Sequence, residues 1–588
     1  MAASARAGSR GALRLRGGAR ALRTLARSLA GWAGVTRGGG EDRAREAAWL
    51  QHRAAERLAK YRDLPEPGLL SFITPVWNTT PEYLVELANS IFAQAGDPSY
   101  EWVVLDNGST DAGTLAVLDQ TIAPHPKVAL YRSAENLGII AGSRYCLERA
   151  TGRYVVLVDH DDRLYPDCAA TVAHWLRRCD SPAAMYSDED KLVGGVAAMP
   201  FLKPDWDPVL FANQAYTAHL DVVDRQTALD VGAFTDRAAE GSPDWDCLMR
   251  LHVAGHDPVH LPEVLYSWRM HPASTALNID SKSYIHSSQQ AVVERYRQHL
   301  PEPERFALEL SPLFPGTPDW RLRRLQEAPP PAVLVVIGED GPGSGVQAFH
   351  EYPVPAPIHV PRETPPGALL GGLPAGLPDE ALVALLDARV AVTEPGWLWE
   401  ALGLMERYPD TGVVGGRLLD EDDRVVAAGQ VLGFEPACGC PDAGRPSTDP
   451  GYSVWLLKQR SVSAVSAAQC IFTAGFLRDL LRHGCPPGAT WAGLGEWAGA
   501  HALRTGARVV YSPFVAGRTQ RGPAYAADED ERRLFLATHG DVLPCERWYA
   551  PGFGLTLATN YRPVEAEERA TGRADARYAG GSRSEGPA

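Results

Sequence analysis

The sequence predicts an α/β fold with a parallel sheet covered by helices, and three observations support this prediction. Short apolar runs rich in β-branched residues alternate with helical patterns four times between Leu69 and Asp162, which is typical of βαβ units. Several of these runs end at an acidic residue or at a turn rich in Asn, Gly and Ser. The length of 588 residues exceeds one ordinary core, so two or three domains are expected.

The predicted elements follow one another as strand and helix. A strand over 69–78 is followed by a helix that Thr80 and Pro81 begin and that reaches Phe92. The remaining elements are a strand from Trp102, a strand over Val128–Tyr131, a helix from about Ile140 to Ala150, and a strand that ends at Asp159. This order predicts right-handed crossovers and brings the strand ends to one edge.

The last of these strands ends in Asp159, His160, Asp161 and Asp162. Ligands of open α/β sheets bind beyond the carboxyl ends of the strands, and Mg²⁺ and Mn²⁺ prefer oxygen ligands. The acidic run therefore indicates a metal site, although such a cluster alone is also typical of a solvated turn. Neither a dinucleotide fingerprint nor a Walker loop follows the first strand, so no glycine-rich loop would hold the phosphates of a nucleotide.

Composition and charge exclude some function classes. The formal net charge of -15 argues against nucleic-acid binding, which uses a basic face to neutralise phosphates. No apolar run approaches the ~18 residues that a membrane span requires. Nine scattered cysteines predict reduced thiols and a cytoplasmic protein.

The N-terminus differs in composition, with eight arginines and no acidic residue in its first forty positions. Three interpretations remain open: a basic amphipathic helix in peripheral contact with the inner face of a membrane, a transit peptide, or an extension without a role.

Four motifs in a fixed order resemble those of a known family. They are Phe72-Ile-Thr-Pro-Val-Trp-Asn78, Val103-Val-Leu-Asp-Asn-Gly-Ser-Thr-Asp111, Glu135-Asn-Leu-Gly138 and Leu157-Val-Asp-His-Asp-Asp162. The set is similar to that of inverting family 2 glycosyltransferases, whose GT-A fold has a Rossmann-like mixed sheet. Three later motifs resemble the bacterial branch that builds surface polysaccharides: Tyr186-Ser-Asp-Glu-Asp-Lys191, Lys203-Pro-Asp-Trp206 and Trp268-Arg-Met-His271. The resemblance covers about 69–300.

The resemblance implies a donor site and a divalent metal, Mg²⁺ or Mn²⁺. The implied donor-binding residues are Pro75, Asp106, Asn136, Asp159 and Asp161. Pro75 and Asp106 would contact the nucleobase, Asp161 would bind the metal, and Asp159 would meet the ribose or support the metal. His271 is a further candidate metal ligand, and the alternative is an ordinary surface or packed histidine.

Asp244 is the candidate base that deprotonates the acceptor hydroxyl. It precedes a predicted helix over Cys247–Gly255, so the alternative role is a helix cap. Asp246 is expected instead to cap or orient that helix. Pro243 stands where the family often has a second acid or Gln, which puts the exact position of Asp244 in doubt.

The acceptor side is expected near Asp188, Trp206 and His219. For the acidic cluster that includes Asp188, contact with sugar hydroxyls and a solvated turn are both open.

The expected domains are a basic extension and helix (1–64), a catalytic domain (65–315), a Pro-rich linker (316–332), a degenerate GT-A-like domain (333–545) and a partly disordered tail (546–588). In the second domain Asp387 matches Asp159, Arg389 replaces Asp161, and Gly495 stands opposite Asp244. We therefore expect a catalytically silent domain; a second active transferase is the alternative.

The expected function is metal-dependent, inverting transfer of a hexosyl or deoxyhexosyl group from a nucleotide sugar to a surface polysaccharide or lipid-linked glycan. An oligomer is compatible with the sequence. Two alternatives are a non-catalytic nucleotide-sugar-binding scaffold and a nucleotidyltransferase, which would need a glycine-rich loop or a lysine that 74–80 lacks.

Overall fold

The computed structural model describes residues 40–61, 63–96, 99–270, 284–314, 319–338, 351–519 and 527–564. The chain forms two compact units. The first unit contains 40–301, 549–554 and 562–564 of the described residues, and the second contains 302–548 and 555–561. Among the described residues no helix is long and apolar enough to cross a membrane.

The first unit is a sheet with helices on both faces. Its strands are β1 (Leu70–Val76), β2 (Tyr100–Asn107), β3 (Val128–Ser133), β4 (Tyr154–Leu157), β5 (Arg163–Leu164), β6 (Ala184–Val193), β7 (Val196–Phe201), β8 (Asp221–Asp224) and β9 (Val259–Arg269). Its helices are α1 (Gly40–Lys60), α2 (Pro81–Phe92), α3 (Ala112–Val117), α4 (Ile139–Arg149), α5 (Cys168–Arg178), α6 (Pro208–Phe211), α7 (Arg225–Asp230), α8 (Pro243–Val253) and α9 (Tyr284–Gln298).

The sheet is mixed. Its strand order is β3-β2-β1-β4-β8-β6-β9-β5, with β7 beside β6. β3, β2, β1 and β4 are parallel, as the alternation of strand and helix predicts, whereas β8 is antiparallel to both of its neighbours. The strand direction therefore reverses between β4 and β8, and β4 is the strand that leads into the acidic run. Apolar side chains of the parallel strands, such as Phe72, Trp102 and Val156, are buried in one cluster with those of α2 and α5.

One boundary in the first unit differs from the prediction in a way that affects the site. α8 begins at Pro243, four residues before the predicted start. Proline is favoured in the first turn because it lacks the N–H that would otherwise be unpaired there. Asp244 therefore lies inside the first turn of α8 rather than in the preceding loop.

The second unit contains another mixed sheet. Its strands are β10 (Phe306–Leu310), β11 (Trp320–Arg324), β12 (Ala332–Ile337), β13 (Ile358–Val360), β14 (Leu382–Asp387), β15 (Val390–Val392), β16 (Thr411–Leu419), β17 (Val425–Ala428), β18 (Val431–Leu432), β19 (Cys438–Gly439), β20 (Arg460–Val462), β21 (Gln469–Thr473) and β22 (Arg508–Thr519). Its helices are α10 (Trp397–Arg407), α11 (Ala474–Asp479), α12 (Leu494–Thr505) and α13 (Glu529–His539). The main sheet has the order β13-β12-β14-β21-β16-β22-β15.

Two segments outside the two main sheets have structure that the sequence did not predict. The segment expected to be a linker (316–332) contains β11, which pairs with β10 and places Arg321 and Arg323 against Glu309. The expected tail also contributes to the first unit, because the Trp49 indole N–H donates to the Val564 carbonyl at 3.1 Å. Residues 565–588 and 1–39 lie outside the described residues.

Candidate functional site

The carboxyl ends of β1 and β2 bring the predicted nucleobase residues side by side. Val76 pairs with Asp106 in the parallel register, so Pro75 lies one position before it. The buried Asp106 carboxylate accepts a hydrogen bond from the Ser109 N–H at 2.9 Å. The Asn107 amide donates to the Asn136 side chain at 3.2 Å, which joins the loop after β3 to this edge. The structure thus brings the expected nucleobase and donor residues of β1, β2 and this loop to one edge.

Trp77 was not among the predicted site residues. It follows β1 directly, and 49% of its side chain is exposed although most large apolar side chains of this unit are buried. Its neighbour Asn78 accepts hydrogen bonds from the N–H groups of Thr110 and Asp111, at 2.8 and 2.9 Å. The only sequence signal was an aromatic residue directly after a strand end. An open indole face next to Asp106 is suited to stacking on a base.

The acidic run after β4 divides into one structural acid and two that face outwards. The Asp162 carboxylate accepts from the Tyr266 hydroxyl at 2.6 Å and from the Arg269 N–H at 2.7 Å, and it is buried. The Asp159 and Asp161 side chains are 46% and 23% exposed. Arg269 also binds the Asp161 carbonyl through Nε at 2.6 Å. Of the three acids in this run, Asp159 and Asp161 are therefore placed to meet a ligand.

Negative charge accumulates at this run. Burial raises the pKa of Asp162 well above its ordinary value, and the neighbouring Asp161 and Asp159 carboxylates raise it further. A cation next to Asp159 and Asp161 would relieve this repulsion.

The two outward-facing acids fit the metal that the resemblance implies. Mg²⁺ is typically held by one or two carboxylates together with substrate phosphates and water. Within the described residues no group of three Asp, Glu, His or Cys side chains converges on a metal position. His271, the third predicted ligand, lies outside the described residues. The protein oxygens that are described thus suit a metal completed by a diphosphate.

His219 lies between two acids of the site. Its Nδ1 is 3.1 Å from Glu189 Oε2, its Nε2 is 3.6 Å from Asp159 Oδ2, and its ring stacks on Tyr266. Burial opposes protonation of His219, but hydrogen bonds with Asp159 and Glu189 outweigh burial, so its pKa rises well above its ordinary value. His219 therefore adds a positive charge beside Asp159.

Lys203 holds the segment that carries His219. Its ammonium group is buried and donates to the carbonyls of Ser187, Thr217 and His219, each at 2.6 Å. Burial lowers the pKa of Lys203 to about 8. The sequence placed Lys203 in a family motif without a role, because three carbonyls distant in sequence cannot be recognised before folding.

Asp244 belongs to the same electrostatic cluster as the acidic run. Burial raises the pKa of Asp244 to about 6, and the Asp159 carboxylate raises it as well. Burial followed by repulsion from Asp244 raises the pKa of Asp221 to about 8. Near neutral pH Asp221 thus holds a proton for a larger share of the time than Asp244, which is available as a carboxylate.

Of the two roles expected for Asp246, capping or orienting the helix, the structure agrees with the second. Its buried carboxylate accepts from Arg250 Nε and Arg295 Nε, both at 2.7 Å. The residue at the N-cap position is Ser242. Asp246 therefore links α8 to α9 and does not cap α8, because the helix begins earlier than the sequence indicated.

Two predicted acceptor residues are buried. Asp188 lies in β6 and accepts from the Lys203 N–H and from His260 Nε2, both at 2.9 Å, so its cluster is not a solvated turn. Trp206 packs against Tyr186 and Phe211 in the interior. Neither side chain offers a surface to an acceptor. Sequence order alone could not reveal this burial, which results from the pairing of β6 with β8 and β9.

The matching positions of the second unit have different chemistry. The Asp387 carboxylate accepts from Arg389 Nε at 3.0 Å and from Arg362 Nη2 at 3.1 Å. Burial alone would raise the pKa of Asp387, but the hydrogen bonds from Arg362 and Arg389 lower it. Gly495 is the second residue of α12, as Asp244 is of α8, and a Cβ there would lie 1.8 Å from the Val465 carbonyl oxygen. Backbone therefore fills the space that a side chain would need.

Comparison with known proteins gives a family match and several relatives. Residues 71–186 match the family model described as "Glycosyl transferase family 2". An uncharacterized protein of Sinorhizobium fredii, y4gI, is 30% identical over 473 residues, which are 74% of this chain and 50% of that protein. The O-antigen biosynthesis protein RfbC of Myxococcus xanthus is 24% identical over 455 residues, which are 71% of this chain and 35% of that protein. This chain spans half or less of the length of these two relatives.

Solved structures are more distantly similar. S. aureus TarS 1-349 in complex with UDP-GlcNAc has 18% identity and a TM-score of 0.32, covering 39% of this chain and 66% of that chain. The family match includes β1, β2, the loop after β3, and β4 with the acidic run, which together carry the four motifs. The family and fold class predicted from the sequence are thereby confirmed. Residues 71–186, in the first unit, therefore form a domain of glycosyltransferase family 2.

Proposed function

We propose that the first unit transfers a sugar from a nucleotide-diphosphate donor to a hydroxyl group of a surface polysaccharide or lipid-linked glycan, with inversion at the anomeric carbon. The observation that carries this proposal is the parallel register of β1, β2 and β4, which brings Pro75, Asp106 and the acidic run to one edge of the sheet. Burial raises the pKa of Asp244, in the first turn of α8, and Asp244 is near enough to this edge for the Asp159 carboxylate to raise it further. A single displacement requires a base on one side of the sugar and a stabilised leaving group on the other. The role of the relative RfbC in O-antigen biosynthesis supports a surface glycan as the acceptor.

The donor would lie along the carboxyl ends of β1, β2 and β4. Asp106 would accept a ring N–H of the base, Pro75 would contact the base, and Trp77 would stack on it. Asn136 is joined to Asn107 and would border the ribose side. The exposure of Trp77 and the Val76–Asp106 register support these roles.

Asp159 and Asp161, with His271 as a further ligand, would hold a divalent metal. When bound, such a metal stabilises the negative charge that develops on the departing diphosphate. Arg269 and Tyr266 keep the acidic run in place through Asp161 and Asp162. Protonated His219 would supply a second positive charge on the same side.

Asp244 would remove the proton from the acceptor hydroxyl as that oxygen attacks the anomeric carbon. No covalent enzyme intermediate is needed, so one carboxylate suffices. A pKa of about 6 keeps Asp244 ionised at neutral pH while making it a stronger base than an ordinary aspartate.

We further propose that the second unit is catalytically silent and that the protein acts on the cytoplasmic side, with 1–64 as an extension and helix. The catalytic domain, expected over 65–315, would end at 301, because 302–315 belong to the second unit. Two arginines at Asp387 disfavour a cation, and Gly495 provides no base.

A screen of nucleotide sugars tests the proposal. We expect one donor to raise the melting temperature of the full chain only with Mn²⁺ or Mg²⁺, because a ligand that binds the folded state stabilises it by mass action. The same donor should release nucleoside diphosphate when a glycan acceptor is present. Metal-dependent binding without any transfer would favour the scaffold alternative, and the absence of donor binding would contradict the proposal.

A further inference from the structure

A cavity of about 470 Å³ lies on the outer side of β5 in the first unit. Its wall includes Glu86, Asn89 and Ser90 of α2 on one side and Arg163 and Tyr165 on the other. Its volume falls in the usual range of small-molecule sites, about 300–1,000 Å³. None of these residues belongs to the donor site described above.

Two polar side chains of this wall are available to a ligand. Within the described part of the chain, the Arg163 guanidinium and the Asn89 amide have no hydrogen-bond or ion-pair partner. The other polar groups of the wall are engaged: Ser90 Oγ donates to the Leu87 carbonyl at 2.7 Å, and Glu86 binds Arg269 at 2.7 Å. Burial raises the pKa of the Asp190 carboxyl, and Arg163 lies close enough to it to act in the opposite direction. The half-buried guanidinium forms no hydrogen bond or ion pair with Asp190, so its N–H donors remain open to an anionic ligand.

The chemistry of the wall suits a sugar ring that carries an acidic group. A guanidinium presents a planar fork of N–H donors that matches a carboxylate or phosphate, and an amide can both donate to and accept from hydroxyl groups. The Tyr165 hydroxyl donates to Asp190, which leaves its ring as part of the apolar wall. Sugars present both hydroxyl edges and apolar C–H faces, and this wall offers partners to both.

The cavity borders the acidic run in two places, because Arg163 directly follows Asp162 in the chain and Glu86 contacts Arg269. Glu86 lines the cavity and binds Arg269 Nη2, while Arg269 Nε holds the Asp161 carbonyl. A ligand in the cavity would therefore lie beside the donor site but outside it. A glycan acceptor longer than one sugar could reach this position with a unit distant from its reacting end.

We propose that this cavity binds an acidic saccharide unit of the acceptor chain, with Arg163 pairing with its carboxylate or phosphate and Asn89 binding its hydroxyls. The proposal rests on the proposed function in that the acceptor is a glycan. It adds a second binding site and the chemical class of its ligand.

The test is saturation-transfer NMR on the full chain in the presence of EDTA, so that metal-dependent donor binding does not contribute. The probes are glucuronate, glucose 6-phosphate and methyl glucoside. We expect at least one acidic probe to bind more tightly than methyl glucoside, and the better acidic probe identifies the source of the charge. Arg163→Ala should weaken its binding at least tenfold, because a charge-assisted hydrogen bond is worth about 1.5–3 kcal/mol. Asn89→Ala should weaken all three probes.

Arg153→Ala is the matched control, since Arg153 is a partly exposed arginine of the same unit that faces Asp224 and does not line the cavity. It should bind the probes as the wild type does, and melting curves should show that all variants are folded. Equal binding by Arg163→Ala and wild type, equal affinity for methyl glucoside and the acidic probes, or no binding of any probe would overturn the proposal.

An Asp161→Ala variant separates this proposal from the proposed function. We expect it to lose metal-dependent nucleotide-sugar binding and to keep the acidic saccharide. In the wild-type protein, transfer without binding of any probe would reject only the cavity proposal. Probe binding without any transfer would reject only the proposed function.

Discussion

The two sheets of this chain can be compared strand by strand. The pairs β2–β1, β1–β4 and β6–β9 are parallel, and so are β13–β12, β12–β14 and β16–β22. The pairs β4–β8, β8–β6 and β9–β5 are antiparallel, and so are β14–β21, β21–β16 and β22–β15. Within the described residues β3 has no counterpart in the second sheet.

The register aligns the polar residues of the two sheets. Tyr186 faces Asp221 in the first sheet, and Gly415 faces Cys470 in the second. From this pairing, Asp188 of β6 corresponds to Arg417 of β16. The second unit thus has no acid at the positions that match Asp188, Asp221 and Asp161 of the first unit. It nevertheless has a buried apolar core. The comparison teaches that apolar burial maintains the fold and that a few polar residues maintain the site.

The largest expected effect is that of Asp161→Ala, matched by Arg389→Ala in the second unit. Transfer by Asp161→Ala should fall by about 10³-fold or more, because charge on the departing diphosphate is no longer stabilised. Arg389→Ala should retain the wild-type rate, measured as nucleoside diphosphate release with the donor found by the screen. A comparable loss in folded Arg389→Ala would contradict a silent second unit.

The next largest effect is expected for Asp244→Asn. The amide keeps the shape of the side chain but accepts no proton, so transfer should fall by about 10²–10⁴-fold. Donor binding should remain close to that of the wild type, which metal-dependent thermal stabilisation measures. Transfer at the native rate would show that Asp244 is not the base.

Acid should reduce activity progressively. The pKa of Asp244 is raised to about 6 by burial and then by Asp159, and only the ionised form is a base. Below about pH 6, kcat/KM should therefore fall about tenfold per pH unit, and it should be level just above that pH. A pH–rate profile of the free enzyme checks this, and a level profile down to about pH 5 would contradict the assignment.

The smallest expected effect concerns Gly495, the position of the second unit that matches Asp244. Gly495→Ala would place a Cβ 1.8 Å from the Val465 carbonyl oxygen. The backbone would have to shift, which should lower the free energy of unfolding of the second unit by roughly 1–3 kcal/mol, or several degrees in Tm. Gly367→Ala is the control, because no atom lies within 4 Å of a Cβ there. Equal Tm values for the two variants would show that α12 can move away.

The sequence alone determined the family, the order of strands and helices, and the residues at the strand ends. Asp106, Asp159 and Asp161 could be placed at one edge of the sheet because a strand pattern that ends in an acid needs only local information, and parallel strands bring such ends together. The sequence also showed that Arg389 and Gly495 stand where the first unit has Asp161 and Asp244. Both positions can be found by counting residues from a strand or helix that the sequence pattern reveals.

Only the tertiary structure decided which polar residues face solvent and which hold others in place. Asp188 and Trp206 are buried, Asp162 is held by Tyr266 and Arg269, and Lys203 binds three carbonyls. These roles depend on contacts between residues about fifteen to a hundred positions apart, which no local pattern contains. The same holds for Arg163, whose N–H donors are seen to line a cavity only once α2 and β5 come together.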